Sequence, residues 1–280
     1  MKFVRYGASG REKPGVLDSQ GRIRSLAEHV RDIDPAVYSR EGQRRLRELD
    51  LESLPLVRTK PRLGVPFVGI GKFIGIGLNY RDHALEAGLP IPTEPVVFNK
   101  WTSCISGPCD DIVQPPHSIK LDWEVELGVV IGRPARYVAE SEALKYVAGY
   151  CVANDVSERN FQFERGSQWD KGKGCDSFGP LGPWLVSADE VPDPQALDLW
   201  LDVNGKRMQT GNTRSMIFSV KQIVCYLSRF MSLLPGDVII TGTPPGVAMG
   251  MKSPRWLTPG DVVTLGIQGL GEQRQRVIGA

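Results

Sequence analysis

Asp122-Trp123-Glu124-Val125-Glu126-Leu127-Gly128-Val129-Val130-Ile131 is the stretch on which the reading of this chain turns. Side chains alternate across a strand, so Glu124 and Glu126 share one face while Val125 and Leu127 point to the other, toward a core. Two neighbouring carboxylates repel each other unless a proton or a cation neutralises them. The solvated face of an edge strand would tolerate such a pair. The following Val129-Val130-Ile131 run instead suggests a buried strand. Buried, the pair suits a hard divalent ion, Mg²⁺ or Mn²⁺, which takes oxygen ligands.

Other segments gain meaning beside this one. Asp155 follows the apolar Tyr150-Cys151-Val152-Ala153 at the end of an expected strand. Alone it reads as a cap or turn former; next to the glutamates it is a candidate third carboxylate ligand. Arg159 and Gln162 are three apart and share a face if that turn is helical. His83 and Glu86 have the same spacing. A carboxylate against imidazole fixes its tautomer and raises its basicity, as a water-activating base requires, although an exposed helical ion pair has the same spacing. Lys173 sits in the Gly-rich Lys171-Gly172-Lys173-Gly174-Cys175 run, which lacks the order of a P-loop. Ile240-Thr241-Gly242-Thr243-Pro244-Pro245-Gly246 has a backbone set by Gly and Pro, and presents either a plain turn or a hydroxyl and amides for an anion.

Composition bounds the rest. The 280 residues are 41% hydrophobic and 24% charged, and 34 Lys and Arg against 32 Asp and Glu leave +2, so no charge excess points to nucleic acid or a membrane surface. Thirty-one Gly and 21 Pro suggest many turns and argue against a helical bundle. Met1-Lys2-Phe3-Val4-Arg5-Tyr6 shows no apolar h-region, so no secretory signal is expected, and no run approaches ~18–20 apolar residues. Five cysteines without C-x-x-C spacing read as reduced thiols in a cytoplasmic protein. Three widely spaced histidines argue against a three-histidine zinc site. Residues 1–70 are expected as a small N-terminal domain and 71–280 as the main one. Strands are expected near 3–6, 15–18, 72–78, 96–98, 123–131 and 197–203, the last turning at Asn204-Gly205, with a hairpin over 262–279. Helices are expected at 80–87, 141–147 with Ser141 as cap, and 219–233, while 36–50 shows no clear apolar face. Residues 80–92, few of them apolar and followed by closely spaced prolines, are expected to act as a lid. The fold class is α+β, mostly β.

Taken in order, N-Y-x-x-H-x-x-E at 79–86, W-E-V-E-L-G at 123–128, N-D-V-S-E-R-N-F-Q at 154–162, K-G-x-D-x-F-G-P-L-G-P at 173–183, N-G-x-x-M-Q at 204–209 and the P-G-D-V to T-G-T-P run at 235–247 resemble the fumarylacetoacetate hydrolase family in its short bacterial branch. The resemblance implies a mixed β-sandwich roll, a homodimer and one Mg²⁺ (or Mn²⁺) held by Glu124, Glu126 and Asp155. It implies His83 and Glu86 as the water-activating dyad, with Lys173 in a catalytic position. Tyr80, Lys100, Arg159, Gln162 and Thr243 fall at substrate-binding positions. The implied substrate is a 2-oxo acid, and the whole-chain likeness is to hydrolases of 2,4-diketo-3-deoxy-L-rhamnonate or fuconate, which give pyruvate and lactate. Acylpyruvate or fumarylpyruvate hydrolysis, oxaloacetate decarboxylation and ureidoglycolate lyase chemistry use the same ligand set. The 88–92 segment, Asn99 and Gly246–Gly250 depart from commoner versions, which bears on the far end of the substrate.

Overall fold

A computed structural model describes residues 1–86, 88 and 90–280. It is mostly β, with two mixed sheets. The larger has ten strands, and the acidic stretch supplies its centre: Val125–Ile131 lies between Val147–Asn154, antiparallel, and Val238–Ile240, also antiparallel. Every residue of Val125–Ile131 is buried, so both faces of the strand are covered and the edge-strand alternative falls away. Beyond Val238–Ile240 come Phe73–Gly77, parallel to it, and Val96–Lys100 at the edge. The second sheet orders Lys206–Asn212, Asp198–Val203, Val262–Ile267, Gly271–Gly279 and Ile112–Gln114. Asn204 and Gly205 turn its first hairpin with φ of 51° and 77°, the left-handed pair that such a two-residue turn requires.

Residues 1–70, read above as a small domain, share a sheet and a core with the rest. Lys2–Tyr6 pairs antiparallel with Gly179–Ser187, and Phe3, Val16 and Leu26 belong to the same hydrophobic cluster as Ile74 and Val129. The charged 36–50 segment does form helices, Pro35–Tyr38 and Arg40–Arg47. Its inward face escaped the pattern because the second helix buries only Gly42, Gln43 and Leu46. A Cβ at Gly42 would meet the Ala36 carbonyl at 2.0 Å, so the position admits only glycine. The expected helix at 141–147 is a run of 3₁₀ turns from Glu140 to Tyr146. It starts one residue early, which leaves Ser141 inside it and without a capping role. The 219–233 helix spans Val220–Phe230 and opens with a capping box, Ser219 and Gln222 bonding each other's backbone N–H. None of the described helices is long and apolar enough to cross a membrane.

The strand Phe73–Gly77 is glycine-spaced for a reason. A Cβ at Gly75 would lie 2.1 Å from the Phe98 ring, and one at Gly77 would lie 2.7 Å from Trp169. The two glycines let aromatic rings lie directly on the sheet. Gly75→Ala should therefore cost about 1–3 kcal/mol, the usual penalty for overpacking. Urea denaturation of the variant measures it, and a midpoint equal to that of the parent would contradict this packing.

Candidate active site

Register brings the acidic residues together. Glu126 pairs with Ala153 across the antiparallel ladder, and two residues on, the Asp155 N–H donates to the Glu124 carbonyl at 2.9 Å. Residues opposite each other in such a pair share a face, so Asp155 joins the face already carrying Glu124 and Glu126. One oxygen from each of the three lies within 4.8 Å of the others, and their exposures are 5%, 1% and 0% for Glu124, Glu126 and Asp155.

Three cations surround this cluster unevenly. Lys173 Nζ donates to Glu124 at 2.8 Å and to Asp155 at 2.6 Å. Lys100 Nζ donates to the other Asp155 oxygen at 2.6 Å and to the Lys173 carbonyl. Arg159 donates to Asp122 at 2.9 Å, to Glu124 at 2.5 Å and to Gln162 at 3.0 Å. Glu126 accepts only the Gly242 N–H, at 2.7 Å, and pairs with no ammonium or guanidinium among the described residues. Burial pushes Glu124 upward, but Lys173 and Arg159 outweigh it and hold the group below the ordinary carboxylate range. Burial also pushes Glu126 upward, Asp155 and Glu124 add to the rise, and the carboxyl ends well above its ordinary range. Asp155 and Glu124 have balancing charges; Glu126 does not. Three hard oxygens, one of them unpaired, fit a divalent cation by their chemistry.

The cleft over these groups is lined by Glu124, Glu126, Arg159, Gln162 and Lys173 with His83 and the Gly242-Thr243 backbone. His83 lies on the helix Arg81–Glu86, buried, with Nδ1 3.5 Å from Glu86 Oε2. The two are neighbours, but the closer partner of Glu86 is the Gly246 N–H, 3.1 Å from both carboxylate oxygens. Thr243 lines the cleft while its hydroxyl donates to the Val125 carbonyl at 2.9 Å and accepts from Gln209 at 2.8 Å. Two residues of the expected substrate group lie elsewhere. Lys100 sits beneath Asp155, and Tyr80 borders a separate cavity of about 480 Å³ with Arg81, Arg214 and Pro244. The Tyr80 hydroxyl is buried without a partner among the described residues, and burial, with Glu126 adding, raises it far above its ordinary value. Of the expected lid, residues 87 and 89 lie outside the described residues.

Backbone supports complete the site. Leu78, at φ 55°, turns the chain out of its strand toward the helix. Asn79 holds that turn by donating to Thr241 and Phe218 carbonyls at 2.8 and 3.0 Å and accepting the Phe218 N–H at 2.8 Å. Asp122 accepts the Ala248 and Met249 N–H groups, at 2.8 and 3.1 Å, in addition to Arg159. Neither Asp122 nor Gln209 was singled out from sequence. The alternation that joins Glu124 to Glu126 reaches back to Asp122 and could have marked it; nothing local marks Gln209.

Buried carboxylates ringed by cations on a β scaffold, with a histidine lining the same cleft, make a site whose chemistry fits a divalent cation. The chain belongs to the fumarylacetoacetate hydrolase family: the model of its C-terminal domain matches residues 72–278. A Burkholderia orbicola protein named only as a hydrolase is 64% identical over 277 residues, 99% of this chain and 98% of that protein. The solved maleylpyruvate hydrolase from Sphingobium sp. SYK-6, in complex with manganese(II) and pyruvate, superposes with a TM-score of 0.83 at 28% identity over all of both chains. The solved 2-hydroxyhepta-2,4-diene-1,7-dioate isomerase from Mycobacterium marinum is 30% identical, with a TM-score of 0.76 over 100% of this chain and 98% of that one.

The unpaired state of Glu126 has a measurable consequence. Burial and the neighbouring Asp155 and Glu124 carboxylates favour its protonated form, so Mg²⁺ binding should displace a proton. Calorimetric titration in two buffers of different ionisation enthalpy reads that proton directly. Glu126→Gln should abolish the release and weaken binding; a release unchanged in the variant would assign the proton elsewhere.

Proposed function

We propose that the chain is a divalent-cation-dependent hydrolase that cleaves the C3–C4 bond of a 2,4-diketo acid, giving pyruvate and a second carboxylic acid. The observation that carries this reading is the charge balance of the buried site. Asp122, Glu124, Glu126 and Asp155 bring four negative charges, and Lys100, Arg159 and Lys173 bring three positive ones. A divalent ion turns a deficit of one into an excess of one, which a monoanionic 2-oxo acid cancels. The manganese and pyruvate of the Sphingobium maleylpyruvate hydrolase support both the ion class and the pyruvyl end.

Glu124, Glu126 and Asp155 would hold the cation, which when bound supplies Lewis-acid polarisation of the pyruvyl oxygens. Lys173, which bridges Glu124 and Asp155, would shift off at least one of them as the cation enters and keep its positive charge beside the pyruvyl end. His83 takes a proton from a water as its oxygen adds to C4, and Glu86 orients the ring. The adduct then collapses: C3–C4 breaks, C4 leaves as the second carboxylic acid, the electron pair passes to the pyruvyl end as an enolate, and C3 takes back the proton held by His83 to give pyruvate. Lys173 stabilises that developing charge in a site from which water is largely excluded. The free space is about 20 Å³, little more than the roughly 10–15 Å³ one water needs. A substrate needs more room than this, and the Arg81–Glu86 helix, whose Glu86 accepts the Gly246 N–H, is the segment we propose moves to admit it. Acylpyruvates and 2,4-diketo-3-deoxy sugar acids present the same pyruvyl end and undergo the same step.

His83→Ala should lower hydrolysis of a diketo acid about 10²–10⁴-fold, the usual worth of general acid–base catalysis. Oxaloacetate decarboxylation adds no water, so it should survive His83→Ala better than Glu126→Ala. Glu86→Gln should lie between His83→Ala and the parent in hydrolysis. Rates of both reactions at saturating Mg²⁺ test this, and equal losses in both for His83→Ala would remove the water-activating role.

A further inference from the structure

The wall of the cleft away from the carboxylates is apolar and largely aromatic. Phe98, Trp169 and Phe163 form a continuous run, with ring centroids 5.7 Å apart for the first pair and 5.5 Å for the second. Leu78 and Met249 complete that lining. Phe98 is buried, Trp169 half-buried and Phe163 41% exposed, so the run leads from the charged centre to the surface. Its inner end is tied to that centre: Lys173 Nζ stands 5.0 Å from the centroid of the Phe98 ring. The strand beneath keeps glycine at 75 and 77, where a Cβ would strike Phe98 or Trp169.

The polar groups lining this cleft are mostly committed. Arg159 and Lys173 are the cations that line it among the described residues, and each already contacts two carboxylates. The Gln162 oxygen accepts from Arg159, and the Thr243 hydroxyl is bonded to Val125 and Gln209. A second carboxylate at the far end of the substrate would meet no free guanidinium or ammonium here. A chain of hydroxyls would lose water against rings that return few hydrogen bonds, at a cost for each unpaired group. An apolar group would gain by displacing water from the same surface.

We infer that the distal part of the substrate is apolar: the chain acts on acylpyruvates whose acyl group is an alkyl or aryl chain, selected by Phe98, Trp169 and Phe163. This rests on the hydrolytic reading above. It replaces the sugar acid implied by sequence resemblance, because these rings give a polyhydroxylated chain few hydrogen-bonding partners.

The test is a series of acetyl-, butanoyl- and hexanoylpyruvate, in which the C4 carbonyl keeps the same chemistry, beside a dicarboxylic acylpyruvate and a 2,4-diketo-3-deoxy sugar acid. Pyruvate release is measured at saturating Mg²⁺. We expect kcat/KM to rise up to roughly fourfold per added methylene, chiefly through KM, in line with burial of each CH₂. Phe163→Asn should flatten that slope and Phe163→Leu should keep most of it, a contrast that loss of folding would not produce. If all substrates release pyruvate but the slope is flat, or the dicarboxylate or sugar acid is preferred, the inference is overturned while the reaction stands. If no diketo acid releases pyruvate, the hydrolytic reading fails and the inference fails with it.

Discussion

Glu126 is a carboxylate buried in the middle of a sheet with a single hydrogen bond, from Gly242, and no cationic partner among the described residues. A charge in that position is several kcal/mol unfavourable unless neutralised. Much of the surrounding structure is arranged around that fact. Glu124 and Asp155 are balanced by Lys173, Lys100 and Arg159, so the site is already satisfied except at one group. The upward shift of Glu126 favours its protonated form, and a divalent ion would satisfy it together with both neighbours. On the proposed function, the same imbalance would make the loaded site receptive to one anion such as a 2-oxo acid.

The supports are backbone interactions for the most part. Asn79, Asp122, Gln209 and Glu86 each fix a main-chain segment: the 79–80 turn and 218, the 248–249 amides, the 125 and 243–244 stretch, and the Gly246 amide. Arg159 and the 248–249 segment share Asp122, so a change at one is felt by the other. Trp123 joins them by donating from its indole to the Gly246 carbonyl at 3.2 Å. The loop after Val238–Ile240 is therefore held from the central strand on one side and from the His83 helix on the other. Glu86 ties that helix to the cleft wall through the Gly246 N–H.

Much of the carboxylate cluster was legible because strand periodicity is a local property. Glu124 and Glu126 had to share a face once the segment was a strand, and the hydrophobic run after them pointed to the centre of a sheet. Asp155 was a candidate from its place at a strand end, but its meeting with the glutamates depends on cross-strand register, which no local pattern supplies. Lys100 and Tyr80, which motif position places at the substrate, are both buried: Lys100 donates to Asp155, and Tyr80 borders a second cavity. The helix at 40–47 was illegible because one leucine, one glycine and one glutamine make no stripe. The aromatic wall was equally hidden. Phe98, Phe163 and Trp169 are far apart in sequence, and only the glycine spacing at 75 and 77 hints that rings pack on that strand.

The central claim is that the three carboxylates form one ion site and that Lys173 yields its place between them. Anomalous scattering from crystals soaked in Mn²⁺ addresses it directly. The account predicts one strong peak ligated by Glu124, Glu126 and Asp155 together, with Lys173 Nζ moved off at least one of the two carboxylates it now bridges. A peak elsewhere, or no peak at this cluster while Lys173 still bridges Glu124 and Asp155, would contradict it.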